Sequence, residues 1–336
     1  MRKFIFAIVL LLAVVYVIVQ FSELQAILDT FRRGDWRYLL LAVCIEALWL
    51  FNVAFSYKYI FQITGIEEKM GKMLLLGAAA NFANVIAPTA GMSGMAVFIS
   101  EARRRGYSTG RATVGGVLFV LFDYAGFLLI LAFGLIVLIR RDNLNFAEII
   151  ATLLLLTAAT VFSFVLYLGT RSGQRLGDFL AKGTRFVNKI VKPFIHRQYL
   201  SEERAYEYAY EASDALKAME HKRLSLAIPF ILAVSSKVLL MVILLLIFIA
   251  FEVPLAPGTV VAGFSLGYLF IIVSPTPAGL GFVEGGLTIA LSSLGVPLGQ
   301  AAVIALSYRG ITFWLPLAFG AYAFRFLANT KVETAL

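Results

Sequence analysis

Charge is what this sequence has least of. Lys, Arg, Asp and Glu make up 15% of its 336 residues against 60% apolar ones, with a mean hydropathy of +0.87. Soluble domains run at roughly 45–50% apolar and about 25% charged residues, so a soluble globule is excluded. Cysteine is almost missing as well. The single Cys44 sits in an apolar run, which rules out an intrachain disulfide and a cysteine-based metal site. Only His196 and His221 could add metal ligands, so neither a metal nor a cofactor is expected. No GxxxxGK phosphate loop is present, so ATP hydrolysis by this chain is not expected either. Acidic residues are scarcer than basic ones, 20 against 29, for a net charge of +9. In a membrane chain such an excess reports cytoplasmic loops and anionic headgroups, and nucleic acid is not an expected partner.

What is present is a series of long uncharged runs: residues 4–21, 36–63, 73–100, 112–139, 146–169, 224–251, 258–294 and 300–327. About 18 or more apolar residues at ~1.5 Å each cross ~30 Å of hydrocarbon. Unbroken runs mean helices, since a barrel strand is shorter and alternates in polarity. The start, Met1-Arg2-Lys3 followed by an apolar run to Val19, resembles a signal peptide. Gln20 to Gln25 offers no small-x-small cleavage site, so a retained first helix is expected.

Two runs are broken. NFANVIAPTAGMSG interrupts the third at 81–94 and SPTPAGLG the seventh at 274–281. Pro88, Gly91, Ser93 and Gly94, and Pro275, Pro277, Gly279 and Gly281, favour turns that regular helix disfavours. Lys and Arg concentrate in short cytoplasmic loops. That places Arg103–Arg105 with Arg111, and the basic stretch from Arg171 to Arg223, inside. Lys58, Lys69 and Lys72 put the start of segment three on the same side as its end, making it a re-entrant hairpin. No Lys or Arg lies between Lys237 and Arg309, so segment seven enters from outside. The scheme also puts Arg32, Arg33, Arg140 and Arg141 outside, against the bias.

Short matches recur in order along the chain: APTAG at 87 with SPTPAG at 274, GYSTGRA at 106 with GVPLGQA at 295, and LAFG at 131 with LAFG at 317. Their offsets are 187, 189 and 186 residues. With hairpins entering from opposite faces, this describes an inverted-topology repeat, which in transporters places the substrate site at the repeat interface near the midplane. The expected fold is an all-α polytopic membrane protein with about six full spans and two re-entrant hairpins. It forms one transmembrane domain over 1–336, with repeat cores at 73–139 and 258–327 and a basic cytoplasmic insertion at 171–223. Within the insertion, residues 201–220 read as a helix with Ser201 as N-cap and Glu202 and Glu203 in its first turn. It is small for a catalytic domain; lying on the membrane, packing on the bundle and plain linkage all stay open. Both termini are expected in the cytoplasm, and the membrane is expected to be a prokaryotic cytoplasmic one.

Charges inside spans cost about 2.5–3.5 kcal/mol each on insertion scales and need a reason. They are Glu46, Asp123, Lys237, Glu284 and Arg309. Asp123 and Arg309 share the 186-residue offset of the LAFG pair, and about 11 helical residues, ~16 Å, put Asp123 near the midplane. Arg309 paired with Glu284 or Asp123 could simply fix helix register. Alternatively its planar fork could hold a phosphate, with hairpin turns offering free N–H groups. Both roles are compatible. Asn81 and Asn84 could satisfy freed backbone or line a cavity. Glu46 and Lys237 receive no role, and Trp36, Trp49 and Trp314 read as anchors or packing.

At residues 275–320, PTPAGLGFVEGGLTIALSSLGVPLGQAAVIALSYRGITFWLPLAFG, the chain resembles the flippase-like transmembrane domain of lysylphosphatidylglycerol synthases and their stand-alone relatives. The family's Pro-x-x-Gly-Gly-Leu-Gly-x-x-Glu, Tyr-Arg and Trp-Leu-Pro elements fall on Pro275, Gly279, Gly281, Glu284, Tyr308, Arg309, Trp314 and Pro316, with Ala278 replacing a usual glycine. Pro88, Gly91, Ser93 and Gly94 resemble the subgroup with a Pro-x-x-Gly-x-Ser-Gly turn, without the Gly-Glu and Glu-Arg pattern of synthase-fused members. The resemblance implies movement of an aminoacylated phospholipid or polyprenyl-linked sugar between leaflets, by a chain lacking the soluble aminoacyltransferase domain. Candidate substrate contacts are Arg309, Glu284, Asp123, Tyr308 and Asn84. The expected activity is lipid flipping or scrambling rather than catalysis. A non-transporting partner of a lipid synthase, or a membrane-embedded enzyme using Glu284 or Asp123 as base, are the alternatives. Expected partners are membrane lipids, with a separate lipid synthase or glycosyltransferase and a second copy of the chain as further candidates.

Overall fold

The computed structural model describes residues 27, 30–86, 92–141, 146–195, 201–220, 226–274 and 279–333. The expected first helix at 4–21 and the turn residues Pro88, Gly91, Pro275 and Pro277 lie outside them. All regular structure among the described residues is helical. The order is α1 (Trp36–Ile63), α2 (Met70–Ile86), α3 (Met92–Arg104), α4 (Thr109–Arg140), α5 (Phe146–Arg171), α6 (Gly173–Ile195), α7 (Glu202–Glu220), α8 (Ala227–Ala250), α9 (Pro257–Val273), α10 (Phe282–Ser293), α11 (Leu298–Arg309), a π turn (Gly310–Trp314) and α12 (Leu315–Glu333).

Five of these are long and apolar enough to cross a membrane: α1, α4, the Thr152–Arg171 part of α5, α8, and the run Leu298–Leu327 through the π turn. They coincide with five of the sequence-expected spans. α2 and α9 are apolar but only 17 residues each, about 25 Å at helical rise. The outward faces of α4 and α5 carry exposed Phe133, Ile136, Leu153 and Phe164. Such a surface is stable only against lipid, and the chain is an integral membrane protein.

Local chemistry sets the element ends. Asp35 caps α1 by accepting from Arg37 N at 2.9 Å, and Gly65, at φ +83°, turns the chain after it. Pro257 opens α9, where its missing N–H costs nothing. Pro316 has no N–H for the carbonyl of Thr312, and the preceding turn relaxes into π geometry over Gly310–Trp314.

The two halves pack reciprocally. α1 lies along α8 in the most extensive contact of the fold, α2 and α3 pair, and α9 and α10 pair. The first arm of each pair seats on the long span of the other half: α2 on α12, and α9 on α4. The LAFG glycines make these seats. A Cβ on Gly134 would stand 2.3 Å from Ser265 Oγ on α9, and one on Gly320 would stand 2.6 Å from the carbonyl of Ala78 on α2.

The open ends of the two helix pairs lie at opposite ends of α4. At its start, Glu101 of α3 is salt-bridged to Lys72 of α2 and to Arg104 at 3.0 Å, and Arg105 reaches Glu68 at 3.0 Å. At its finish, Arg141 donates to Thr259 Oγ1 on α9 at 3.0 Å and to the carbonyl of Leu294 after α10 at 3.3 Å. Arg141, which the charge bias placed awkwardly, therefore ties the second pair to α4.

The basic insertion packs on the bundle. α6 and α7 pair with each other, and α7 lies against α4 and α5. Ser201 Oγ accepts from Arg204 N at 3.4 Å, as expected of the N-cap. Glu211 Oε2 accepts from Ser108 Oγ at 2.7 Å and from Gly110 N at 2.8 Å, placing a carboxylate on the positive end of α4. Ser213 donates to the carbonyl of Gly169 at 2.8 Å.

Candidate functional site

A cavity of about 600 Å³ opens between the two helix pairs. Asn81 and Asn84 of α2 line it on one side; Ile272, Ser274 and Gly279, flanking the second break, line it on the other. Tyr308, Arg309 and Thr312 form its floor where α11 runs into the π turn. Tyr124, Tyr268 and Trp49 add an aromatic wall, and Leu154, Leu155 and Ala158 of α5 an apolar one.

Asn84 both lines the cavity and binds backbone. Its Oδ1 accepts from Gly94 N at 2.6 Å and from Ser93 Oγ at 3.0 Å, joining the end of α2 to the start of α3. Gly94 is needed here, since a Cβ would meet Asn84 Nδ2 at 2.6 Å and the Ala80 carbonyl at 2.9 Å. Asn84→Ala leaves the Gly94 amide without this acceptor. It is expected to cost about 1–3 kcal/mol, read as a lowered thermal midpoint in detergent.

Arg309 donates from Nε to Glu284 Oε1 at 2.5 Å, and its Cζ stands 4.0 Å from the ring centroid of Phe313. Arg309 and Glu284 are 3% and 8% exposed, so the pair is removed from water. Glu284 Oε2 is buried with no hydrogen-bond partner. Of the two partners the sequence allowed Arg309, the structure selects Glu284, which stands behind the guanidinium rather than on the cavity wall.

Asp123 is taken by a residue to which the sequence assigned no role. Lys237 Nζ donates to Asp123 Oδ1 at 2.6 Å and to the Tyr268 hydroxyl at 2.5 Å, and that hydroxyl donates to Asp123 Oδ2 at 3.1 Å. Tyr268 faces the cavity; Asp123 opens instead into a niche of about 10 Å³ beside Asn52, Ser56 and Ser236, room for one water. Asp123 is therefore not a direct cavity contact. Lys237 was detectable only as a costly charge in a span, and nothing local named its partner. Trp49, read as an anchor or packing, lines the cavity and donates to Ser236 Oγ at 2.8 Å. Trp36, 66% exposed at the start of α1, fits the anchor role.

Among the described residues no three His, Cys, Asp or Glu side chains gather as a metal site. The arrangement offers a guanidinium, amides and hydroxyls around the cavity, with the buried Arg309–Glu284 pair and the part-buried Lys237–Asp123 pair beside it.

The sequence profile of the lysylphosphatidylglycerol synthase TM region matches residues 4–320. A protein described as a UPF0104 membrane protein from Methanothermobacter thermautotrophicus is 23% identical over 334 residues, 97% of this chain and 95% of the relative. A second protein of the same description and organism is 37% identical over 97 residues, 29% of each chain. No solved structure matches. The chain belongs to the lysylphosphatidylglycerol synthase transmembrane-region family.

Proposed function

We propose that the protein moves a phosphate-bearing lipid, a phospholipid or a polyprenyl-linked one, between membrane leaflets without modifying it. The observation that carries this reading is Arg309 on the wall of a cavity of about 600 Å³ bounded by both helix breaks. A guanidinium matches phosphate oxygens with two parallel hydrogen bonds. Its charge is already balanced by Glu284, so an arriving headgroup exchanges with an existing anion instead of meeting an unpaired cation. The family's description as a lysylphosphatidylglycerol synthase region agrees with a lipid substrate.

In this reading α2–α3 and α9–α10 are re-entrant hairpins entering from opposite faces, related by an inverted repeat. The supporting facts are the reciprocal packing of α2 on α12 and α9 on α4 and the hairpin bases at opposite ends of α4. Tails stay in the bilayer while the headgroup crosses through the cavity between the two hairpins. α6 and α7 lie on the cytoplasmic side with both chain termini, in a prokaryotic cytoplasmic membrane, and a separate synthase supplies the lipid.

Reconstitution tests the activity. Liposomes carrying the protein and a short-chain fluorescent phosphatidylglycerol are expected to lose more than the outer-leaflet signal to dithionite. Arg309→Lys keeps the charge but loses the fork, and is expected to slow movement by about tenfold, the worth of ~1.4 kcal/mol. Undiminished movement removes Arg309 from the site. Topology is tested separately: after Cys44→Ser, Arg104→Cys and Ala205→Cys are expected to label from one face and Gln300→Cys from the other. Labelling of 104 and 300 from the same face ends the inverted arrangement.

A further inference from the structure

Glu46 is the one intramembrane charge for which the site has no use. It lies in α1, 1% exposed, and neither carboxylate oxygen has a hydrogen-bond partner. It stands ten residues into α1, as Lys237 stands ten residues into α8, so the two occupy equivalent places in the paired helices. Lys237 has Asp123 and the Tyr268 hydroxyl; Glu46 has nothing.

Among the described residues the surroundings offer no compensating cation. The elements packed against α1 are α2, α4, α8 and the π turn. Within the apolar depth they carry Lys237 on α8 and Asp123 on α4, which neutralise each other. Tyr308 and Arg309 stand where α11 meets the π turn, and Arg309 is held by Glu284. α2 carries no ionisable residue after Lys72. A bare carboxylate here would carry its full desolvation cost, whereas the neutral acid loses only hydrogen bonds.

Glu46 is nonetheless close to the transport path. Trp49, one helical turn along the same face of α1, and Tyr308 both line the cavity. We propose that Glu46 is a proton-binding site that couples headgroup entry to a proton gradient. Proton binding follows from the burial of Glu46 alone; the coupling rests on the transport reading above.

The sign of the coupling follows from charge. An anionic headgroup at Arg309 is repelled by an ionised Glu46 and not by a neutral one, so proton and headgroup bind with mutual preference. The proton arrives from water on the face to which the cavity is open and leaves to water on the other, restoring the carboxylate. Lipid and proton therefore travel in the same direction.

Two measurements separate the parts of this inference. Infrared spectroscopy of the full-length protein in liposomes is expected to show a protonated-carboxyl band that moves on deuterium exchange and is lost in Glu46→Gln. Glu46→Asp should shift the band rather than abolish it, which serves if the glutamine variant folds poorly. No such band in the wild type, or a band unchanged in both variants, overturns the proton site.

In phosphatidylcholine–phosphatidylglycerol vesicles with the potential clamped, a pH gradient is expected to bias fluorescent phosphatidylglycerol between leaflets. The limit is about tenfold per pH unit for one proton per lipid. Glu46→Gln should still equilibrate the probe but ignore the gradient. Movement insensitive to the gradient in the wild type, or driven by sodium instead, overturns the coupling while leaving transport intact. No movement under any condition defeats the coupling together with the transport reading, and the infrared result alone then decides the proton site.

Discussion

Arg309→Ala is expected to destabilise the protein by about 3–5 kcal/mol, because it leaves the Glu284 carboxylate buried with neither its partner nor water. The cost follows from the 2.5 Å contact between the two side chains and from their burial. Replacing both, as Arg309→Met with Glu284→Leu, is expected to restore most of that stability, since an apolar pair of similar volume carries no desolvation penalty. Thermal unfolding in detergent reads both effects. The double variant separates the two roles this pair could have. If the pair only fixes helix register, restored folding brings back lipid movement. If Arg309 receives the headgroup, the stable double variant stays slow by about tenfold to a hundredfold, the worth of one charge-assisted hydrogen bond at ~1.5–3 kcal/mol. Recovery of wild-type movement in the double variant would therefore assign Arg309 to structure alone.

Gly320→Val and Gly134→Val are each expected to cost about 1–3 kcal/mol or more through overpacking. The Cβ at 320 meets the Ala78 carbonyl at 2.6 Å, a backbone atom that moves only if α2 moves. The Cβ at 134 meets Ser265 Oγ at 2.3 Å and Ser265 Cβ at 2.6 Å, and the latter moves only if α9 moves. Rotating the hydroxyl aside has its own cost, since it donates to the Val261 carbonyl at 2.8 Å, and it leaves the Cβ contact in place. Displacing α2 also shifts Asn81 and Asn84 on the cavity wall, so Gly320→Val is expected to slow lipid movement even where the protein survives purification. An unchanged thermal midpoint in either valine variant would contradict the close seating of these arms.

Much of the architecture was legible because it depends on local properties. Five of the apolar runs became helices of spanning length, and α9 ended at Ser274, where the sequence breaks. The Ser201 cap and the helix after it formed as read, because capping is settled within one turn. LAFG recurs at a fixed offset, and its two glycines make close helix contacts, Gly134 with α9 and Gly320 with α2.

What the sequence could not determine was which distant groups meet. Lys237 and Asp123 are separated by 114 positions, and their contact depends on the rotation and depth of α8 against α4, which hydropathy does not encode. For the same reason Asp123 and Glu284, read as cavity contacts, stand behind Tyr268 and Arg309, while Trp49 turned inward to the cavity. Glu46 is the clearest case. As a residue it was one charge among five in apolar segments. Only the packing of four elements around α1 decided that, of these five and among the described residues, it has no counter-charge, and burial without a partner is what turns an ordinary carboxylate into a candidate proton carrier.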